Sequence, residues 1–202
     1  MTIRQMVSPA ALAVISVLPI ASTPGPTTWN VDPAHTAVSF SVRHFFTPVT
    51  GQFEALEATL SYDQQNPRNS TVRVRIPVAS LSTANAKRDN HLKSADFFEA
   101  EAHPYITFES ESVMRVSEDQ LLVRGALTIK GRTKTVELPV TVLGVMEVAP
   151  EMRDMLGARQ IASFQSRLSL DRRDFGVGVG SWAETAIVGS NVDIEIAVEA
   201  NR

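Results

Sequence analysis

From Trp29 onward the chain alternates apolar and polar residues with a period of two. In "AVSFSVRHF", Val38, Phe40 and Val42 share one parity, and Ser39, Ser41 and Arg43 the other. "TVRVRIPV" sets Val72, Val74, Ile76 and Val78 against Arg73, Arg75 and Pro77. The period returns in "YITFESESVMRV" (Ile106, Phe108, Met114, Val116) and "LLVRGALTI" (Leu121, Val123, Leu127, Ile129). It runs on through "TVELPVTV" (Val136, Leu138, Val140, Val142) and "NVDIEIAVE" (Val192, Ile194, Ile196, Val198). "IASFQSRLSL" carries it more weakly, through Ala162, Phe164, Leu168 and Leu170, and "GQFEALEATLSY" blurs it as a bulge would. Side chains of a strand point to opposite faces in turn, so this pattern predicts antiparallel strands with one buried and one wet face.

Eight strands follow, over residues 34–45, 50–62, 71–79, 104–118, 120–130, 133–145, 159–171 and 190–200. Pro77 and Pro139 have outward parity, which suits edge or bulged positions. "SEDQ" (117–120) and "KGR" (130–132) are short enough for hairpin turns. Residues 80–103 and 144–158 form longer connections with room for a short helix each, Ala86 to Lys93 and Glu151 to Leu156. Eight such strands make either a sandwich or a closed barrel, and a barrel of that size can hold one small ligand. Alternation alone does not choose between them.

The 202 residues suffice for one domain with a full core. The absence of cysteine excludes disulfides, thiol catalysis, thiolate-held metals and a lipid-modified cysteine anchor. With 19 basic and 22 acidic residues and no long run of either sign, the chain lacks the footprint of a nucleic-acid partner. The start differs: Arg4, an apolar run from Val7 to Ile20 broken by Pro9 and Pro19, then small residues. That layout predicts a secretory signal over residues 1–22 and a linker over 23–28, leaving 29–202 as the domain without a membrane span. A periplasmic or secreted location is expected.

Residues that could carry chemistry have plainer readings. No pair of histidines has the H-x-H or helical four-residue spacing of a strand or helix metal site, and no metal is expected. His44 alone shares the parity of Val38, Phe40 and Val42, which makes it a polar contact at the end of an oily wall. Asp89, Asp96, Glu99 and Glu101 crowd the long connection, where ion pairs and caps account for them better than acid–base work. "DRRDFGVGVGSW" contains D-F-G and spaced glycines without the glycine loop, H-R-D or following helix that would make them a nucleotide site. Phe97, Phe98, Tyr105 and Trp182 must bury their rings against the barrel end or a ligand. No catalytic residue or cofactor is expected.

Taken in order, "WNVDPAHTAVSFSVRHF", "GQFEALEATLSYD", "KRDNHLKSADFFEAEAHPYITFES", "VRGALTIKGRTKTVELPVTV", "LDRRDFGVG" and "VGSNVDIEIAVEA" resemble the YceI-like family. Its members are exported bacterial proteins with a lipocalin-like barrel that bind long polyisoprenoids. The likeness covers Trp29 to the end. His35-Thr36 stands where the family has His-Ser, and 144–158 matches no family motif. The resemblance implies an all-β, eight-stranded antiparallel barrel with a helix-containing connection near 80–103, a ligand tail along its interior and a head near one open end. The wall would comprise Val38, Phe40, Val42, Val74, Ile76, Ile106, Phe108, Met114, Leu127, Ile129, Phe164, Leu168, Ile194 and Ile196. Phe97 and Phe98 would form a rim, with His44 and Arg88 as head-group contacts. A homodimer is also consistent with the resemblance. An enzyme acting on a lipid-like substrate, or a packed barrel serving as an interaction module, are the alternatives.

Overall fold

The structure, a computed structural model, describes residues 27–184 and 186–202. The expected signal and linker segments therefore lie almost entirely outside the described residues. The described residues form eleven strands: β1 Thr27–Val31, β2 Ala37–His44, β3 Thr47–Phe53, β4 Glu57–Tyr62, β5 Thr71–Pro77, β6 Leu81–Ser82, β7 Tyr105–Arg115, β8 Gln120–Ile129, β9 Arg132–Glu147, β10 Gln160–Asp171 and β11 Val188–Asn201. Every pairing is antiparallel. The order β1-β4-β5-β7-β8-β9-β10-β11 returns to β1 through Asn30↔Asn201 and Val31↔Ala200, closing an eight-stranded barrel. β2 continues β1 beyond a 3-10 turn, Pro33–His35, and pairs with the other half of β11. β3 likewise leads into β4, so each of these two barrel staves is a strand broken once.

Those breaks correct the expected boundaries. β1 lies before the first expected strand, and the blurred 50–62 stretch is two strands separated by residues 54–56. The gap flips the parity: Val49 and Phe53 face inward before it, Leu56, Ala58, Leu60 and Tyr62 after it. A bulge between Ser110 and Ser112 does the same to β7. Phe108 faces the interior, then Val113 is buried at 4% exposure while Met114 is 45% exposed. Met114 is thus no part of the wall, because one extra residue turned its side chain outward. A slip between β9 and β10 exposes Leu143 in the same manner, and β9 runs on to Glu147, into the expected connection.

The short helix α1 spans Ala86–Lys93, with the Asn85 side chain accepting from the Arg88 N–H as its N-cap. The second connection holds a 3-10 turn, Pro150–Met152, and one turn of helix, Arg153–Leu156, stopped by Gly157 in the left-handed region. Pro139 lies at the point where the β9–β10 ladder ends, one residue past Val140↔Ser166. A proline has no N–H to continue the ladder, and the two strands part there. Outer faces carry cross-strand ion pairs, among them Arg73–Glu109, Arg75–Glu57 and Arg167–Glu195, which keep that surface wet and contribute little energy individually. Among the described residues no helix is long and apolar enough to cross a membrane.

Candidate functional site

Inward side chains from all eight staves line a cavity of about 690 Å³, within the usual range of ligand pockets. The wall, rim and head-group positions expected from the sequence all line it except Met114, whereas Tyr105, expected to bury its ring, is 38% exposed with the Arg75 guanidinium over it. The band between its ends is aliphatic and aromatic. Two wall phenylalanines bring their ring tips close against glycines on neighbouring strands. A methyl group at Gly51 would sit 2.4 Å from Phe40 Cζ, and one at Gly125 would sit 2.6 Å from Phe108 Cζ. Only glycine leaves each ring room at these points.

One end, the floor, is packed shut. Trp29 donates its indole N–H to the Tyr62 carbonyl at 3.2 Å, and the Tyr62 ring meets Phe164 edge-on at 5.1 Å. Ala162 and Ala200, with no exposed surface, pack into the same cluster. Burial pushes the Tyr62 phenol upward, so it stays neutral.

The other end, the mouth, is covered by α1, by residues 94–104 and by residues 172–184. Lys87, Arg88, His91 and Leu92 of α1 face the cavity. The helix is hooked to β6 through Thr83, whose N–H and hydroxyl both reach Asp89 Oδ1. Arg88 donates from Nε to Thr83 Oγ1 at 2.7 Å and from Nη2 to the Thr83 carbonyl at 2.9 Å. Partial burial works against the charge on Asp89, yet the Thr83 hydrogen bonds hold its carboxyl below the usual carboxylate value. Arg88 thus lines the cavity with its guanidinium engaged in holding the helix. His44 stands at the rim, edge-on to Phe45 at 4.7 Å.

Across the mouth, Asp96 Oδ2 takes a hydrogen bond from Trp182 Nε1 at 3.3 Å and lies 3.1 Å from His91 Nε2. Phe97 packs against both rings, 5.1 Å from His91 and 5.7 Å from Trp182. Phe98 meets Phe53, which meets Phe40, a row of rings leading from the lid into the bore. The four acids of the connection thus include two, Asp89 and Asp96, that fasten the lid.

Arg172 was not singled out in the sequence. It is 6% exposed, and its guanidinium donates to the carbonyls of Gly189, Val177, Gly178, Trp182 and Val188. Burial lowers its pKa from the usual guanidinium value, while neighbouring Asp171 opposes that, and it stays charged. Gly178, at φ +61, passes so close that a side chain there would strike Arg172 Nη1 and the Phe97 ring. Gly178 of "DRRDFGVGVGSW" thus lies against the Arg172 guanidinium and Gly176 against that of Arg132, so these glycines adjoin cations rather than a phosphate. Phe175 and Val177, both buried, line the cavity from this loop.

The model of the YceI-like domain matches residues 29–200. The chain belongs to the YceI-like family. A UPF0312 protein of Vibrio cholerae is 31% identical over 189 residues, 93% of either chain. Protein YceI of Escherichia coli O157:H7 is 31% identical over 166 residues, 82% of this chain and 81% of that one. The crystal structure of Burkholderia cenocepacia BcnA superposes with a TM-score of 0.75 at 28% identity, covering 85% of this chain and all of that one. A polyisoprenoid binding domain from Saccharophagus degradans, implicated in plant cell wall breakdown, shares the fold alone, with a TM-score of 0.61 at 15% identity over 86% and 97% of the two chains.

Outside the YceI-like barrel, near the floor, one histidine meets two acids. His35 Nδ1 lies 2.9 Å from Asp32 Oδ2 and 3.7 Å from Glu199 Oε1. The hydrogen bond with Asp32 raises the His35 pKa, and its counterpart lowers that of Asp32. Asp32 Oδ1 also caps the turn by accepting from Ala34 N. The trio fastens the break between β1 and β2 to the outward face of β11 and does not reach the cavity.

Proposed function

We propose that this protein holds a long-chain isoprenoid lipid, of the polyprenyl or isoprenoid-quinone type, for transport, storage or stress protection outside the cytoplasm. The observation that carries the proposal is the open apolar bore itself. A void the size of one methyl group costs a fold roughly 1 kcal/mol. A barrel that encloses an apolar bore of hundreds of cubic ångströms is shaped to receive an occupant. Each buried CH₂ of that occupant contributes about 0.8 kcal/mol, offset in part by the entropy of holding it. The wall residues named from the sequence, other than Met114, are the proposed contacts, with Phe97 and Phe98 as rim. The polyisoprenoid binding of the Saccharophagus degradans domain agrees with this reading. The layout of residues 1–22 supports export.

The catalytic alternative finds less support. Asp89 and Asp96 are spent on holding α1 and Trp182, which suits anchors better than acid–base groups. The packed-module alternative would need a filled interior.

Native mass spectrometry of the chain purified from a bacterial periplasm, before and after organic extraction, tests the proposal. The expected result is an added mass that extracts as a prenylated lipid. Protein that carries no such mass and takes up no added prenyl lipid would overturn it.

A further inference from the structure

Among the described residues, one buried side-chain oxygen or nitrogen has no hydrogen-bond partner: Oγ of Ser166. The residue is 6% exposed. It sits on β10 between Phe164 and Leu168, opposite Val140 on β9 and Ile196 on β11, all four of which line the cavity. Its hydroxyl therefore points into the bore from an otherwise apolar band. Other buried polar side chains are served: Ser70 accepts from Asp63 N, Thr83 binds Asp89 and Arg88, and Arg172 has its carbonyls. An unmet buried hydroxyl is a net cost, and alanine would fill this position without it.

Resting on the reading of the cavity as a lipid site, we infer that the ligand enters polar end first and that an uncharged oxygen on it hydrogen-bonds to Ser166 Oγ near the floor. Depth follows from the strand. Phe164, the next inward residue, belongs to the floor cluster with Tyr62, and two residues of strand rise about 7 Å. The oxygen thus lies roughly one ring above the floor, and the hydrocarbon tail runs outward to the mouth. Charge is excluded by the same band: a phosphate or carboxylate at Ser166 would be stripped of water with one hydroxyl in exchange. A carbonyl, phenol or alcohol oxygen is matched by a single hydroxyl. This orientation reverses the head-at-the-mouth arrangement implied by the family resemblance.

The test uses the full chain and Ser166→Ala with two probes, geranylgeraniol and the hydrocarbon in which its hydroxyl is replaced by hydrogen. The expected result is an affinity for the alcohol about 3- to 10-fold lower in the variant, with the hydrocarbon's affinity unchanged or improved. Equal shifts for both probes, or none, would overturn the Ser166 contact while leaving the lipid site standing. Failure of the unsubstituted protein to bind either probe would overturn the lipid reading and this inference together. Orientation has its own readout, because the chain has two tryptophans, Trp29 at the floor and Trp182 at the mouth. A short-chain prenyl benzoquinone should quench the Trp182→Phe protein, which retains the floor indole, more strongly than Trp29→Phe. If Trp29→Phe does not fold, Trp182→Phe against the unsubstituted protein gives the same answer: quenching lost with Trp182 would overturn the head-first orientation.

Discussion

The two ends of the barrel are closed by different means. At the floor, strands and apolar rings do the work: β1 bridges β4 and β11, and Trp29, Tyr62 and Phe164 fill the space between. At the mouth, polar side chains hold α1 and the loops in place. Arg172 gathers carbonyls, Thr83 ties α1, and Asp96 links two segments through one carboxylate. Ladder hydrogen bonds and ring packing come apart only with the fold. Single side-chain bonds to loops can break and re-form locally. The molecule thus has one permanent end and one that can yield.

The sharpest way to break this contrast is to cut each end once. Trp29→Ala should cost about 3–5 kcal/mol, read as a lower urea midpoint for the whole barrel. Arg172→Met leaves several buried carbonyls unmet, at about 1–3 kcal/mol for each that water cannot reach. Its added mark should be faster amide exchange confined to residues 172–189. Faster exchange spread equally over β10 and β11 would mean that the mouth is as integral as the floor.

A milder cut sharpens it. Asp96→Asn weakens the tie between Trp182 and His91 at a half-open site, where such pairs are worth roughly 0–1 kcal/mol. Release of a prenyl probe should therefore speed up several-fold, with the unfolding midpoint nearly unchanged. An unchanged release rate would show that the lid does not limit exit.

The smallest effect belongs to the outside of the floor end. Asp32 is lowered and His35 raised, foremost by their mutual hydrogen bond. The stability that Asp32 contributes is present above the ordinary carboxylate value and is lost as pH falls through its lowered pKa. The His35 contribution is whole below the ordinary imidazole value of roughly 6.5 and is lost as pH rises through its raised pKa. The gap in thermal midpoint between the protein and Asp32→Asn should hence be wider at pH 5.5 than at pH 8.5. A His35 NMR titration that does not fall in the variant would contradict this.

Much of the barrel was legible because burial of one face writes a period of two into each strand, and α1 was legible as a short helix that the long connection had room for. Parity was lost wherever a strand gained a residue. Val113 and Met114 are both apolar, and only the bulge before them decides which is buried. Arg172 was invisible because its partners are backbone carbonyls, which have no letter; the glycines that let the loop curl around it were the trace. Ser166 left a clearer one. The inward row of β10 reads Ala162, Phe164, Ser166, Leu168, Leu170, and the serine is the position at which the apolar stripe skips.

A packed floor also makes the barrel a cul-de-sac. On the proposed reading a lipid would leave by the opening it entered, so that a source and a recipient would take turns at the same rim, a ferry crossing rather than a pipe. At that rim the hairpin between β2 and β3 presents Phe46 at 95% exposure.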